Sequence, residues 1–118
     1  MENKEFAKKL ERRTKIFAIS IIRLSSALSN RPEARVIRNQ ITKSGTSVGA
    51  NYREANRSRS KADFSNKITI CEGAASETGY WLELIEELAW AESGKVNAIL
   101  AEANELLAIF TSIGTKLV

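Results

Sequence analysis

The chain has 118 residues, which fits one domain with its own core, and its single cysteine allows no internal disulfide. It has no histidine, which excludes the Glu-x-x-His sites of di-iron bundles, Ser-His-Asp triads and zinc sites built on histidine. The net charge is +4, the first 13 residues are too charged for a signal peptide, and no run approaches the ~18 apolar residues of a membrane span. We therefore expect one cytoplasmic domain over residues 1–118, with no membrane span, no cofactor, no metal and a packed Cys71 thiol.

One proline and many Ala, Leu, Ile, Glu and Lys residues favour an all-helical chain. Apolar residues at spacings of three and four predict a first helix from about Asn3 to Leu28, with a gap in the stripe at Thr14. Pro32 suits only the first turn of a helix, so a second helix covers about Glu33 to Asn56.

Ser60 and Asp63 resemble a capping box that opens a third helix, which we expect to continue to about Glu92. Ser93-Gly94 then predicts a helix stop, and a fourth helix follows from about Lys95. Helices joined by such short turns predict an all-α, antiparallel up-down-up-down four-helix bundle, roughly 30–45 Å long at about 1.5 Å per residue.

Small residues from Ser44 to Ala55 indicate a close helix–helix approach. If the second and third helices fold back on each other, Gly45 faces Gly73, and Gly49 faces position 69. We expect the Ser44 hydroxyl to bond the carbonyl one turn earlier and Asn51 to bond across to the third helix. A ligand-binding role for these two polar residues is the alternative. The predicted helix-packing residues are Ser44, Gly45, Gly49, Asn51 and Gly73.

The run from Ser44 to Ala55, Phe64, and the segment from Ala75 to Leu82 resemble the signature of small bacterial four-helix bundle proteins first met in intervening sequences of 23S ribosomal RNA genes. These proteins are similar in fold to the accessory variability protein of diversity-generating retroelements, which works with a reverse transcriptase and its RNA. The resemblance implies a ring-like homopentamer. As partners it suggests ribosomal RNA or a reverse transcriptase, and it implies no known activity.

The chain has more apolar residues than the core stripes of four helices need. Either they wrap further round the core of the same chain, or they form contacts between subunits of a homo-oligomer. The second interpretation gives these candidate interface residues: Ile16, Ile19, Ile22, Trp81, Leu84 and Leu88.

Charge is divided unevenly, with 16 basic and 6 acidic residues up to Lys67, against 2 basic and 8 acidic residues from Ile68 onward. In an antiparallel bundle the start of the first helix and the second turn share one end, and positive charge there attracts nucleic-acid phosphates. We call the candidate nucleic-acid-binding residues the basic cluster: Lys8, Lys9, Arg12, Arg13, Arg53, Arg57, Arg59 and Lys61. Tyr52 and Phe64 are expected to be packed rather than available for base stacking. RNA is favoured over DNA, and the alternative is that basic helices face acidic ones in a structural module that binds no nucleic acid.

One catalytic pattern remains, the pairs Glu83-x-x-Glu86 and Glu102-x-x-Glu105, which superficially resemble the magnesium-binding motif of all-helical nucleotide pyrophosphatases. The apolar stripes place these glutamates outward, where solvated charge is the expected role. We therefore predict no enzymatic activity and no catalytic residues.

Overall fold

A computed structural model describes residues 4–117, which form four helices and, within that range, no strand. The helices are α1 (Lys4–Ser26), α2 (Pro32–Ala55), α3 (Lys61–Glu87) and α4 (Ser93–Lys116). The predicted start of the first helix at Asn3 lies outside the described residues. The bundle measures 44 × 24 × 21 Å, which matches the length expected from helices of this size.

Successive helices run antiparallel. Asn56, just past the end of α2, hydrogen-bonds Glu11 near the start of α1, whereas Thr42 in the first half of α2 bonds Ser25 at the end of α1. The same crossed order joins α2 to α3 through Glu54–Lys67 and Ser44–Thr78, and α3 to α4 through Glu72–Thr111 and Glu86–Ser93. The α1–α4 interface closes the bundle but is thinner than the others. The predicted all-α bundle is confirmed.

The core is built from one apolar stripe on each helix, as the spacing predicted. The stripe of α1 has no gap, because Thr14 is fully buried and its hydroxyl donates to the Glu11 carbonyl at 2.9 Å. Tyr52 of α2 is also fully buried, and its ring meets that of Phe110 of α4 edge to face with centroids 5.5 Å apart. This aromatic pair crosses the core diagonal and links two helices that are not neighbours.

The glycines of α2 pack against α1, so the prediction that Gly45 meets Gly73 is wrong. A Cβ added at Gly45 would lie 2.7 Å from Ile21 Cγ2, and one at Gly49 would lie 3.0 Å from Thr14 Oγ1. Gly73 lies on the exposed side of α3, where an added Cβ would meet nothing within 4 Å. Sequence spacing predicted which positions of α2 and α3 lie at the same height along the bundle. It did not predict which side of its helix each glycine occupies.

Ser44 and Asn51 of α2 form hydrogen bonds that differ in part from the predicted ones. The Ser44 hydroxyl lies 3.4 Å from the Ile41 carbonyl, as expected, and it also hydrogen-bonds Thr78 of α3 with the two oxygens 2.8 Å apart. Asn51 does not supply the bond to α3, because its amide donates to the Ser47 carbonyl and hydroxyl at 2.9 and 2.8 Å. The buried polar link between α2 and α3 is therefore the Ser44–Thr78 pair.

The α3 helix ends at Glu87, earlier than the predicted Glu92. Ala89 adopts the left-handed conformation with φ 55°, which usually favours glycine. The paired hydrogen bonds of a Schellman motif close this end: Ala89 N–H to Glu86 O at 3.0 Å and Trp90 N–H to Ile85 O at 3.1 Å. Ala89 thus ends α3, the role that the sequence analysis predicted for Gly94.

Ser93 and Gly94 belong to the first turn of α4 and do not stop α3. The Glu92 carboxylate caps α4 by accepting the N–H groups of Gly94 and Lys95 at 3.1 and 2.9 Å. At the other predicted helix start, the Ser60 hydroxyl accepts the Asp63 N–H at 3.1 Å, so the cap expected for α3 is confirmed.

The α4 helix is also apolar enough, by length and composition alone, to cross a membrane, with a mean hydropathy of 1.3 over its most apolar window. This corrects the expectation that no segment comes near such a limit. Core helices of soluble proteins meet the same criterion, and the α4 stripe that contains Leu106 and Phe110 packs in the bundle core.

Candidate nucleic-acid interface

The start of α1 lies beside the α2–α3 turn. Asn56 Nδ2 donates to Glu11 Oε2 at 2.9 Å, and Arg53 Nε lies 3.8 Å from Glu11 Oε1. One end of the bundle therefore combines the first half of α1, the last turn of α2, the turn at 56–60 and the first turn of α3. It presents seven exposed members of the basic cluster: Lys8, Lys9, Arg12, Arg53, Arg57, Arg59 and Lys61.

Arg13, the eighth predicted member, points elsewhere. Its guanidinium contacts Glu102 through Nε at 2.6 Å and through Nη2 at 2.8 Å, and Nη2 lies 2.7 Å from Glu105. The hydrogen bonds that its guanidinium donates to Glu102 and Glu105 raise the pKa of Arg13 further above its ordinary value. Arg13 thus joins α1 to α4 and is engaged within the chain.

The remaining cations are weakly engaged or unpaired. Lys9 pairs with Glu5 at 3.3 Å, but both side chains are more than three-quarters exposed, so the pair contributes little. Five cluster residues form no ion pair with any residue in the range 4–117: Lys8, Arg12, Arg57, Arg59 and Lys61. Their charges are available to an external anion.

A groove of about 480 Å³ runs between α1 and α2 beside this end. Ala18, Gly49 and Ala50 leave it open because they carry little or no side chain, and Lys15, Arg53 and Arg57 are among the residues that line it. Lys15 was not among the predicted site residues. The signal that could have identified it was its position one helical turn after Arg12, a predicted member of the basic cluster.

The aromatic residues near this end are largely packed, as expected. Tyr52 is fully buried and Phe64 is half-buried against the core. Phe6, which the sequence analysis did not consider, is 40% exposed near the start of α1. The exposed surface of this end is therefore mainly cationic, which suits contact with a phosphate backbone better than reading of bases.

Four of the six candidate interface residues are exposed, whereas Trp81 and Leu84 are half-buried and Trp81 packs against the core. Ile16, Ile19 and Ile22 of α1 are 51%, 41% and 45% exposed. On α3, Leu88 is exposed. Tyr80, missed by sequence reasoning, is 55% exposed, and its ring packs edge to face on Trp81 with centroids 5.1 Å apart.

The candidate magnesium motif does not form one site. Glu102 and Glu105 are bound to Arg13, while Glu86 accepts a hydrogen bond from Ser93 at 2.9 Å. No group of three or more Asp, Glu, Cys or His side chains that could hold a metal ion occurs among the residues described. Cys71 is buried beside the Val48 carbonyl, and burial raises the pKa of its thiol to about 12.

Residues 4–112 match the family model described as 23S rRNA-intervening sequence protein. The chain belongs to this family. No curated protein matches it. A solved structure from the S23 ribosomal protein family of Bacteroides thetaiotaomicron, a protein of unknown function, is similar to it. The two chains are 36% identical with a TM-score of 0.82, over 88% of this chain and 96% of the other.

Membership of the 23S rRNA-intervening sequence protein family confirms the resemblance found in the sequence. The solved relative has the same fold as this chain over nearly its whole length. Neither comparison supplies an activity, so function is argued from the surface of this chain.

Proposed function

We propose that this protein is a non-enzymatic, homo-oligomeric four-helix bundle that binds nucleic acid, with RNA favoured, through the exposed basic cluster. The observation that supports this most directly is the set of seven exposed cations at one end of the bundle. Five of them have no ion-pair partner within residues 4–117. Lys and Arg grouped in this way neutralise phosphates and release counterions, which favours binding without sequence preference.

The α2–α3 turn is the centre of this interface. Arg57, Arg59 and Lys61 follow one another at every second position, and no acidic residue lies between Ala55 and Ala62. Arginine suits phosphate contacts because its planar guanidinium can donate two parallel hydrogen bonds. The family description, which refers to 23S rRNA, favours RNA, and the partners we propose are ribosomal RNA or a reverse transcriptase with its RNA.

Self-association is the second part of the proposal. The exposed apolar residues of α1 and α3 support it, because exposed apolar side chains that cluster commonly form interfaces. The resemblance to ring-like relatives favours a pentamer. A ring would repeat the basic cluster once per subunit and so strengthen RNA binding through multivalency. We propose a cytoplasmic location for this assembly.

Salt-titrated binding to a fluorescently labelled RNA tests the nucleic-acid proposal. We expect the logarithm of the binding constant to fall linearly with the logarithm of salt concentration, with a slope of about −0.7 per phosphate contact on a single strand. The variant with Arg57→Ala and Arg59→Ala should bind more weakly at low salt and show a shallower slope by about 1 to 2. A control with Arg35→Ala and Lys95→Ala removes the same charge at the opposite end and should behave like the wild type.

Equal weakening by the control pair would contradict the proposed site, because only total charge would then matter. A salt response without slope would contradict nucleic-acid binding itself. It would favour the alternative, a structural protein-interaction module, which gains support from the basic side chains that already face acids of the same chain: Arg13, Arg53 and Lys67.

A further inference from the structure

Among the described residues, eight large apolar side chains are exposed, and five of them belong to one stripe on α1 or one on α3. Phe6, Val36 and Ile70 lie outside these stripes. The α1 stripe is Ile16, Ile19 and Ile22, and the α3 stripe is Tyr80, Leu84 and Leu88. Within each stripe the residues are three or four positions apart, so each forms a continuous strip on its helix. Leu84 is half-buried, and the other five side chains are each at least 41% exposed.

On α1 itself, only basic charge accompanies the α1 stripe, and Glu102 of α4, which lines a groove with Ile16, is bound to Arg13. From Arg12 to the end of α1 at Ser26 the sequence contains four basic residues and no acidic one. Arg12, Lys15 and Arg23 are exposed, lie within one turn of an exposed isoleucine, and pair with no acid among residues 4–117. The α1 stripe is therefore an apolar strip with a positive border.

The α3 stripe has the opposite border. From Ile68 to Glu87 the helix contains five glutamates and no basic residue. Glu83 and Glu87 lie one turn from Tyr80 and Leu84, are exposed, and form no ion pair in the described part of the chain. Glu77 lies on the same side and accepts the Trp81 indole N–H at 3.2 Å.

These borders decide which surfaces can meet. Two α1 stripes in contact would bring like positive charges together, and two α3 stripes would bring glutamates together, both of which are unfavourable. An α1 stripe against an α3 stripe covers apolar surface on both sides and brings a basic border to an acidic one. The α1 and α3 stripes are different surfaces, so such a contact is head-to-tail and can repeat from one copy to the next until a ring closes.

We infer that the α1 stripe of one copy binds the α3 stripe of the next copy, in a head-to-tail contact that repeats around the assembly. The inference rests on the proposed self-association and specifies the surfaces that carry it. Because the seven exposed cations at the end of the bundle include only one border residue, Arg12, most of the basic cluster remains open in such an assembly.

Complementation between two variants tests this pairing. Ile19→Asp places an acid in the α1 stripe, and Tyr80→Asp places one in the α3 stripe, so each variant disables one stripe and keeps the other. Where the two altered stripes would meet, the two acids repel each other. We expect each variant alone to have the mass of a single 13.1 kDa chain in multi-angle light scattering. An equimolar mixture should form a dimer and nothing larger, because only one intact α1 stripe and one intact α3 stripe remain to pair.

Ala108→Asp on the exposed side of α4 is the matched control, and it should retain the wild-type mass. Far-UV circular dichroism and thermal unfolding check that all three variants keep the fold. A mixture that stays monomeric, or a single variant that keeps the wild-type mass, overturns the head-to-tail pairing. A wild-type protein that is itself monomeric overturns the proposed self-association, whereas dissociation by Ala108→Asp alone would place the contact on α4.

Discussion

Two glycines in the middle of helices should respond in opposite ways to the same substitution. Gly45 and Gly73 both have ordinary helical backbone without positive φ, so alanine at either position gains about 1 kcal/mol of helix propensity. At Gly73 nothing lies within 4 Å of the added Cβ, so we expect Gly73→Ala to raise the free energy of unfolding by about 1 kcal/mol.

At Gly45 the same gain is outweighed by a clash. The added Cβ would lie 2.7, 2.9 and 3.0 Å from Cγ2, Cγ1 and Cβ of Ile21, which is fully buried. Overpacking of this kind costs about 1–3 kcal/mol, or more where two backbones must separate. We therefore expect Gly45→Ala to lower the free energy of unfolding by up to about 2 kcal/mol after the propensity gain is subtracted.

Urea unfolding followed by circular dichroism measures both effects, at one protein concentration because association contributes to stability. A third variant isolates the clash: an Ile21→Ala background removes the two closest atoms, Cγ2 and Cγ1, so the loss caused by Gly45→Ala should shrink. Equal stability of Gly45→Ala and Gly73→Ala, or an undiminished loss in the Ile21→Ala background, would refute the reasoning.

Three further predictions concern single side chains. Ala89→Gly should raise stability by about 1 kcal/mol in thermal unfolding, because the residue has φ 55° and glycine tolerates this conformation; no change would mean that the left-handed conformation is not costly here. Arg13→Gln should lower stability by about 1 kcal/mol in low salt and by less in 1 M salt, since it removes a half-exposed ion pair with Glu102 and Glu105, and a salt-independent loss would contradict this explanation. The Cys71 thiol should resist alkylation at pH 8 until the protein is unfolded. Burial raises the pKa of the thiol from an ordinary 9.0 to about 12 on folding. The thiol's contribution to stability is therefore complete below pH 9 and is lost as pH rises toward about 12. Rapid alkylation of the folded protein at pH 8 would contradict this burial of Cys71.

Local sequence determined most of the architecture. Apolar spacing identified four helices and the stripes that form the core, because a helix that repeats every 3.6 residues must bury one side. The Ser60–Asp63 pattern identified the cap of α3. Short turns then left antiparallel packing as the simplest arrangement, and the division of charge along the chain indicated the basic end. The family signature was also present in the sequence and is confirmed over residues 4–112.

Properties that depend on the side of a helix, or on a distant partner, required the tertiary structure. Gly45 packs on Ile21 and not on Gly73, because sequence spacing fixes height along a helix pair but not which neighbour a small residue faces. Arg13 leaves the basic cluster because two glutamates about 90 positions away in the sequence are brought within hydrogen-bond distance. In the same way, Ala89 takes a conformation that its residue type disfavours, since the pair of hydrogen bonds that closes α3 requires a left-handed residue there. The chain by itself thus determined the helices and the distribution of charge, and only their packing decided which side chains are used inside the bundle and which remain on its surface.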